Sequence, residues 1–176
     1  MGMLDELLNA QGGGALAALA RQFGVSEDEA RKALGGLAPA LSAGMKQRLA
    51  DPSAAGGLMD ALQQGRFQEV VEKTEAVARP ETVDAGNELL GQLFGSKDVS
   101  REVAQRAAGQ TGLDSGLLKR MLPVVAAMAM GAAGKRVGST GGAGREGLLG
   151  QLSSFLDADQ DGSVVDDLMG MAKKLF

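Results

Sequence analysis

The sequence predicts an all-α protein: a multi-helical array built on two related helical hairpins, followed by a small C-terminal helix–loop–helix tail. Three observations carry this. Apolar residues make up 44% of the 176 but aromatics only 3%, so the side chains that pack a pleated sheet are scarce while helix-favouring Ala and Leu abound. The 27 glycines, far above the average usage of about 7%, cluster near 12–14, 131–150 and expected helix ends, where they punctuate helices. Third, a hairpin-like stretch occurs twice.

The first copy runs Leu19-Ala-Arg-Gln-Phe-Gly-Val-Ser26 and then Glu-Asp-Glu-Ala-Arg31-Lys-Ala-Leu34. The second runs Ala107-Ala-Gly-Gln-Thr-Gly-Leu-Asp114 and then Ser-Gly-Leu-Leu-Lys119-Arg-Met-Leu122. Each reads as a helix, a glycine just past its end, an apolar residue, a capping residue (Ser26 or Asp114) and a second helix. Ser26 with Glu29 also fits a reciprocal capping box. Both second helices continue as apolar stripes at steps of three and four: Ala30, Leu34, Leu37, Leu41 and Met45, then Leu118, Leu122, Val125 and Met128. Such stripes need to pack on one another or on intervening helices, which predicts one core domain over 1–136 with a duplication at about 15–45 and 103–133.

Between the copies, helices are expected over about 54–64, 67–78 and 81–94, the last with Pro80 near its start. Asp98 or Ser100 is expected to cap the helix that enters the second copy. The run Met121 to Gly134 is fourteen residues long and bracketed by Lys119, Arg120, Lys135 and Arg136. A membrane span needs about 20 residues, so this reads as a buried core helix. A flexible Gly-rich linker is expected at 137–145, then a tail over 146–176 with helices at about 146–156 and 164–174.

Composition also narrows the chemistry. Without any Cys or His the chain has no thiolate nucleophile, no thiolate or imidazole metal ligand and no Ser–His or Cys–His pair. No enzyme is expected; catalysis would rest on carboxylates, Lys or Ser alone, as in a cleft between the repeats. A net charge of −4 gives no general attraction to nucleic acid or anionic membrane. Met1-Gly2-Met3-Leu4-Asp5-Glu6 carries acid where a secretory leader is basic and lacks the Ser/Thr that myristoylation needs, so a cytoplasmic location is expected.

One polar constellation stands out. Asp157-Ala-Asp159-Gln-Asp161-Gly162-Ser163-Val164-Val165-Asp166-Asp167-Leu168 resembles an EF-hand-like loop, with oxygen ligands at positions 1, 3 and 5, Gly at 6 and a carbonyl at 7. The candidate calcium ligands are Asp157, Asp159, Asp161, Ser163 and Asp167. Position 12 is Leu168 instead of a bidentate Glu, so closure falls to Asp167 or Asp166, and the affinity expected is about 10⁻⁵ M or weaker. The competing reading makes Ser163 and Asp166 a cap for the final helix, with the aspartates near its positive end.

Other motifs are weaker. The stretch from Leu19 to Leu34 is similar to a DNA-binding helix-turn-helix, but its would-be recognition helix opens Glu27-Asp28-Glu29, the wrong charge for phosphates and base edges. Gly142-Ala-Gly144-Arg-Glu-Gly147 matches G-x-G-x-x-G without a preceding strand, and Gly134-Lys135 lacks the upstream Gly of a P-loop. Met121, Met128 and Met130 read as core filler; Glu69, Glu72 and Glu75 as a solvated face.

Taken in order, Leu4-Asp-Glu-Leu-Leu, the Ala20-to-Leu41 hairpin, Leu93-Phe-Gly-Ser-Lys-Asp-Val-Ser100, the stretch from Gln110 to Met128 and the tail from Leu156 to Phe176 resemble the YidB-like family of uncharacterised bacterial proteins, a domain of unknown function. The resemblance implies an all-helical fold and no established activity, and it transfers no site residue. The expected function is therefore a non-enzymatic helical interaction or scaffold protein, with a protein partner (itself or another helical chain) and a weak structural calcium loop. The alternative is a DNA-binding helix-turn-helix protein.

Overall fold

A computed structural model describes residues 3–63, 65, 67–139 and the single positions 147, 150, 152 and 156. Among the described residues the protein is all-α, with no strand. The order is α1 (Met3–Asn9), a 3₁₀ turn (Ala10–Gly13), α2 (Gly14–Phe23), α3 (Glu27–Ala50), α4 (Pro52–Gln63), α5 (Gln68–Glu72), α6 (Thr74–Val77), α7 (Pro80–Phe94), α8 (Lys97–Thr111) and α9 (Ser115–Ser139).

Helix α9 is the axis of the fold. Every residue from Met121 to Gly134 is buried, as a helix that is apolar all round must be, and α1, α3, α4, α5, α7 and α8 all pack on it. Its many Ala and Gly positions let neighbours approach closely. A Cβ added to Gly86 of α7 would overlap the carbonyl of Pro123, and one added to Gly131 would overlap the carbonyl of Phe67. Those two crossings are therefore backbone against backbone. Pro123 and Pro39 lie inside α9 and α3 without ending them; having no N–H, each removes one i→i−4 bond.

Both expected corners carry their expected caps. Gly24 ends α2 at φ 65° and Gly112 ends α8 at φ 73°, the left-handed conformation that glycine adopts without a Cβ penalty. Ser26 caps α3 through a full capping box: its Oγ accepts from the Glu29 N–H at 3.2 Å, and its own N–H donates to Glu29 Oε2 at 2.8 Å. Asp114 Oδ2 accepts from the Leu117 N–H at 2.8 Å at the head of α9. All residues of the two apolar stripes, Ala30 to Met45 and Leu118 to Met128, are buried.

Three expectations change. The helix expected over 67–78 is divided at Lys73, which is extended at φ −125° and ψ 119°. In one unbroken helix Ala76 would stand on the far side from Val70 and Val71; the break buries Val70, Val71, Ala76 and Val77 together. Neither Asp98 nor Ser100 caps α8. Ser96 does, with its Oγ accepting from the Val99 N–H at 3.3 Å directly after left-handed Gly95, so the helix starts earlier than expected. Helix α9 also runs on to Ser139, into the stretch read as linker. Beyond it, positions 147, 150, 152 and 156 are helical, and Leu152 and Leu156 are buried in the same core as α9. Arg48 ties the far ends of α3 and α7, donating from Nε to the Leu93 carbonyl at 3.3 Å, where a cation is favoured by the helix C-terminus.

Candidate anion-binding cleft

The candidate calcium ligands Asp157, Asp159, Asp161, Ser163 and Asp167 lie outside the described residues, as do Gly142 and Gly144 of the G-x-G-x-x-G stretch. Among the described residues no three carboxylates come together in a way that could hold a metal ion. Three acidic side chains with displaced titration act locally. Glu29 is held below the usual carboxylate range first by the Ser26 N–H and then by its hydroxyl. Asp51 is lowered by the hydroxyl and N–H of Ser53, which it accepts at 2.6 and 2.9 Å. Glu69 is lowered by Lys73 at 3.1 Å and, less, by Arg79 at 3.3 Å. These shifts follow from capping and exposed pairing, so they mark helix ends and surface charge.

A cleft of about 490 Å³ opens where α7, α8 and α9 meet. Each helix contributes one face at i, i+3 or i+4 spacing: Asn87, Leu90 and Gly91 from α7, Ser96, Lys97, Ser100 and Arg101 from the head of α8, and Lys119, Leu122 and Pro123 from α9. The local sequence dictates this meeting. Gly95, at φ 72°, returns its N–H to the Gly91 carbonyl at 2.9 Å and ends α7. Ser96 starts α8 at once, so the positive end of α8 falls at the cleft. The Asp114 cap starts α9 so that Lys119 reaches the opening while Leu122 is buried beneath it.

The cleft is cationic over an apolar floor. Lys97, Arg101 and Lys119 line it together with Ser96, Ser100 and Asn87, and no described carboxylate does. Arg101 leans on Asp98, Nη1 to Oδ1 at 3.0 Å, with both side chains largely exposed, so this pair is worth little by itself. Lys97 and Lys119 have no ion-pair partner among the described residues. Leu90, Leu122 and Pro123 supply the apolar surface. Such a site can hold an anion and exclude water from one side of it.

Sequence reasoning did not assemble this cleft. Lys119 appeared within the second hairpin copy and as a flank of the apolar run, and Lys97 only within a family-like stretch. The available signal was the i,i+4 pairs Ser96/Ser100 and Lys97/Arg101, which put hydroxyls and cations on adjoining strips of one helix; their convergence with α9 is tertiary. Helix α9 is long and apolar enough to cross a membrane by composition alone, but 78% of its most apolar window is buried inside the fold. Those side chains already have protein neighbours.

Residues 5–136 match the model of a family described as "Bacterial protein of unknown function (DUF937)". No curated protein and no solved structure matches the chain.

Proposed function

The chain belongs to the DUF937 family of bacterial proteins of unknown function, and from that premise we propose that it is a non-enzymatic helical interaction protein that seats an anionic group in the α7–α8–α9 cleft. The observation that carries this reading is the convergence of Lys97, Arg101 and Lys119 from two helices on a cleft with no described carboxylate in its lining. A fixed cationic concavity with a low-dielectric floor concentrates anions. The rest of the described surface supports polar recognition: Val99, at 38%, is the large apolar side chain there that is exposed. Absent His and Cys support binding over catalysis. The first corner, which opens Glu27-Asp28-Glu29 on its exposed side, weighs against a helix-turn-helix that grips DNA.

Amide shift mapping by NMR tests this. Titration with small anions should perturb residues around 87–91, 96–101 and 119–123 and leave the α2–α3 corner still. Absence of saturable, localised shifts with every anion at millimolar concentration would remove the reading.

The calcium loop is a separate part of the proposal. Asp157, Asp159, Asp161, Ser163 and Asp167 would ligate Ca²⁺ weakly and order the tail, in a protein working in the cytoplasm. Calorimetric titration with Ca²⁺ should show heat that Asp159→Ala abolishes. No heat, with no change of Tm at millimolar Ca²⁺, would leave capping as the loop's role.

A further inference from the structure

Building on the reading of the cleft as an anion site, we propose that its ligand is a phosphate monoester carried on a small aliphatic body. Charge balance selects the anion. Arg101 is shared with Asp98, which leaves Lys97 and Lys119, without an ion-pair partner among the described residues, as the net charge of the described lining. A phosphate monoester carries about −1.5 to −2 at pH 7 and matches two ammonium groups; a carboxylate, with a single charge, leaves one uncompensated.

Donor geometry selects the same group. Two ammoniums with three donors each, the Ser100 hydroxyl and the Asn87 amide belong to side chains that line the cleft from three helices. Ser96 adds another: its oxygen accepts from Val99, so its hydroxyl hydrogen remains to donate. A tetrahedral anion with three terminal oxygens uses donors spread in this way, whereas a planar carboxylate favours a bidentate fork. The first turn of α8 adds its partial positive charge.

The floor selects the body. A volume of about 490 Å³ falls in the range of small-molecule sites, roughly 300–1,000 Å³, and exceeds what phosphate alone fills. Leu90, Leu122 and Pro123 offer aliphatic contact, and among the described residues no aromatic lines the cleft to stack a nucleobase.

Calorimetry on the full chain with butyl phosphate, inorganic phosphate and pentanoate tests this. Butyl phosphate should bind at one site and about tenfold or more tighter than pentanoate, with inorganic phosphate between them. Lys97→Gln and Lys119→Gln should each weaken butyl phosphate about tenfold, the worth of one charge-assisted hydrogen bond, without changing Tm, because both side chains are exposed. Affinity should also fall between pH about 7.5 and about 5.5 as the phosphate gains its second proton near pH 6, a dependence pentanoate lacks. Pentanoate binding as well as butyl phosphate, with the same lysine dependence, would overturn the phosphate assignment and leave the anion cleft standing. No binding by any of the three would overturn both, and butyl phosphate binding unaltered in both lysine variants would place its site elsewhere and overturn the inference.

Discussion

The α2–α3 corner and the α8–α9 corner are assembled from the same parts and lead to different places. Both have a left-handed glycine followed by a capping side chain, and both feed a long helix with a proline inside it. Helix α3 keeps a wet side, with Arg31, Lys32 and Gln47 exposed, whereas α9 is buried without interruption from Met121 to Gly134. Their charge differs as well. The first corner opens with three acids; the helix that leaves the second carries Lys119 and Arg120 in its first turns, and Lys119 lines one cleft with the head of α8. Corner chemistry sets the turn, and the number of surrounding helices sets what the turn delivers.

The sharpest way to break that comparison is to fill a glycine on each side of it. Gly86→Ala forces a methyl into the Pro123 carbonyl of α9 and should cost about 3 kcal/mol, the upper range for overpacking. Gly35→Ala on α3 meets nothing within 4 Å and should stabilise by about 0.5–1 kcal/mol. Urea melts of the two variants should move in opposite directions. Equal shifts would mean that α7 and α9 do not cross backbone to backbone.

A smaller effect tests whether the two caps are equivalent. Ser26→Ala and Asp114→Ala should each cost about 1 kcal/mol, measured as Tm or urea midpoint, and the losses should add in the double variant because the caps share no partner. The smallest effect belongs to Glu29. Its carboxyl is lowered in the folded protein, so its stabilising share is fully present above the ordinary carboxylate value of about 4.3 and disappears as pH falls through the lowered folded value. The advantage of the native chain over Glu29→Gln should therefore hold at neutral pH and vanish in acid. A gap that widens on acidification would contradict the capping box.

What was legible in the sequence was local. Ser26, Glu29, Gly24 and Gly112 declared their roles because capping depends on residues within one turn, and the stripes from Ala30 and Leu118 declared a buried face because helical periodicity does so alone. Lys73 did not declare a break, since an exposed lysine suits a helix interior; what breaks the helix there is that Val70, Val71, Ala76 and Val77 all bury. Ser96 lost to Asp98 and Ser100 as the expected cap because all three are good capping residues and only the placement of Gly95 decides among them. The cleft was illegible because Lys97 and Lys119 lie 22 positions apart and come to line one cleft only through the packing of α7, α8 and α9.

The most direct test of anion seating reverses charge in the cleft and, as a control, beside the α2–α3 corner. Lys97→Glu with Lys119→Glu, and separately Arg31→Glu with Lys32→Glu, change the same number of exposed cations. Calorimetry with butyl phosphate should lose all detectable binding in the first pair and keep native affinity in the second. Equal weakening in both pairs would show attraction to net charge alone, and would contradict a built site between α7, α8 and α9.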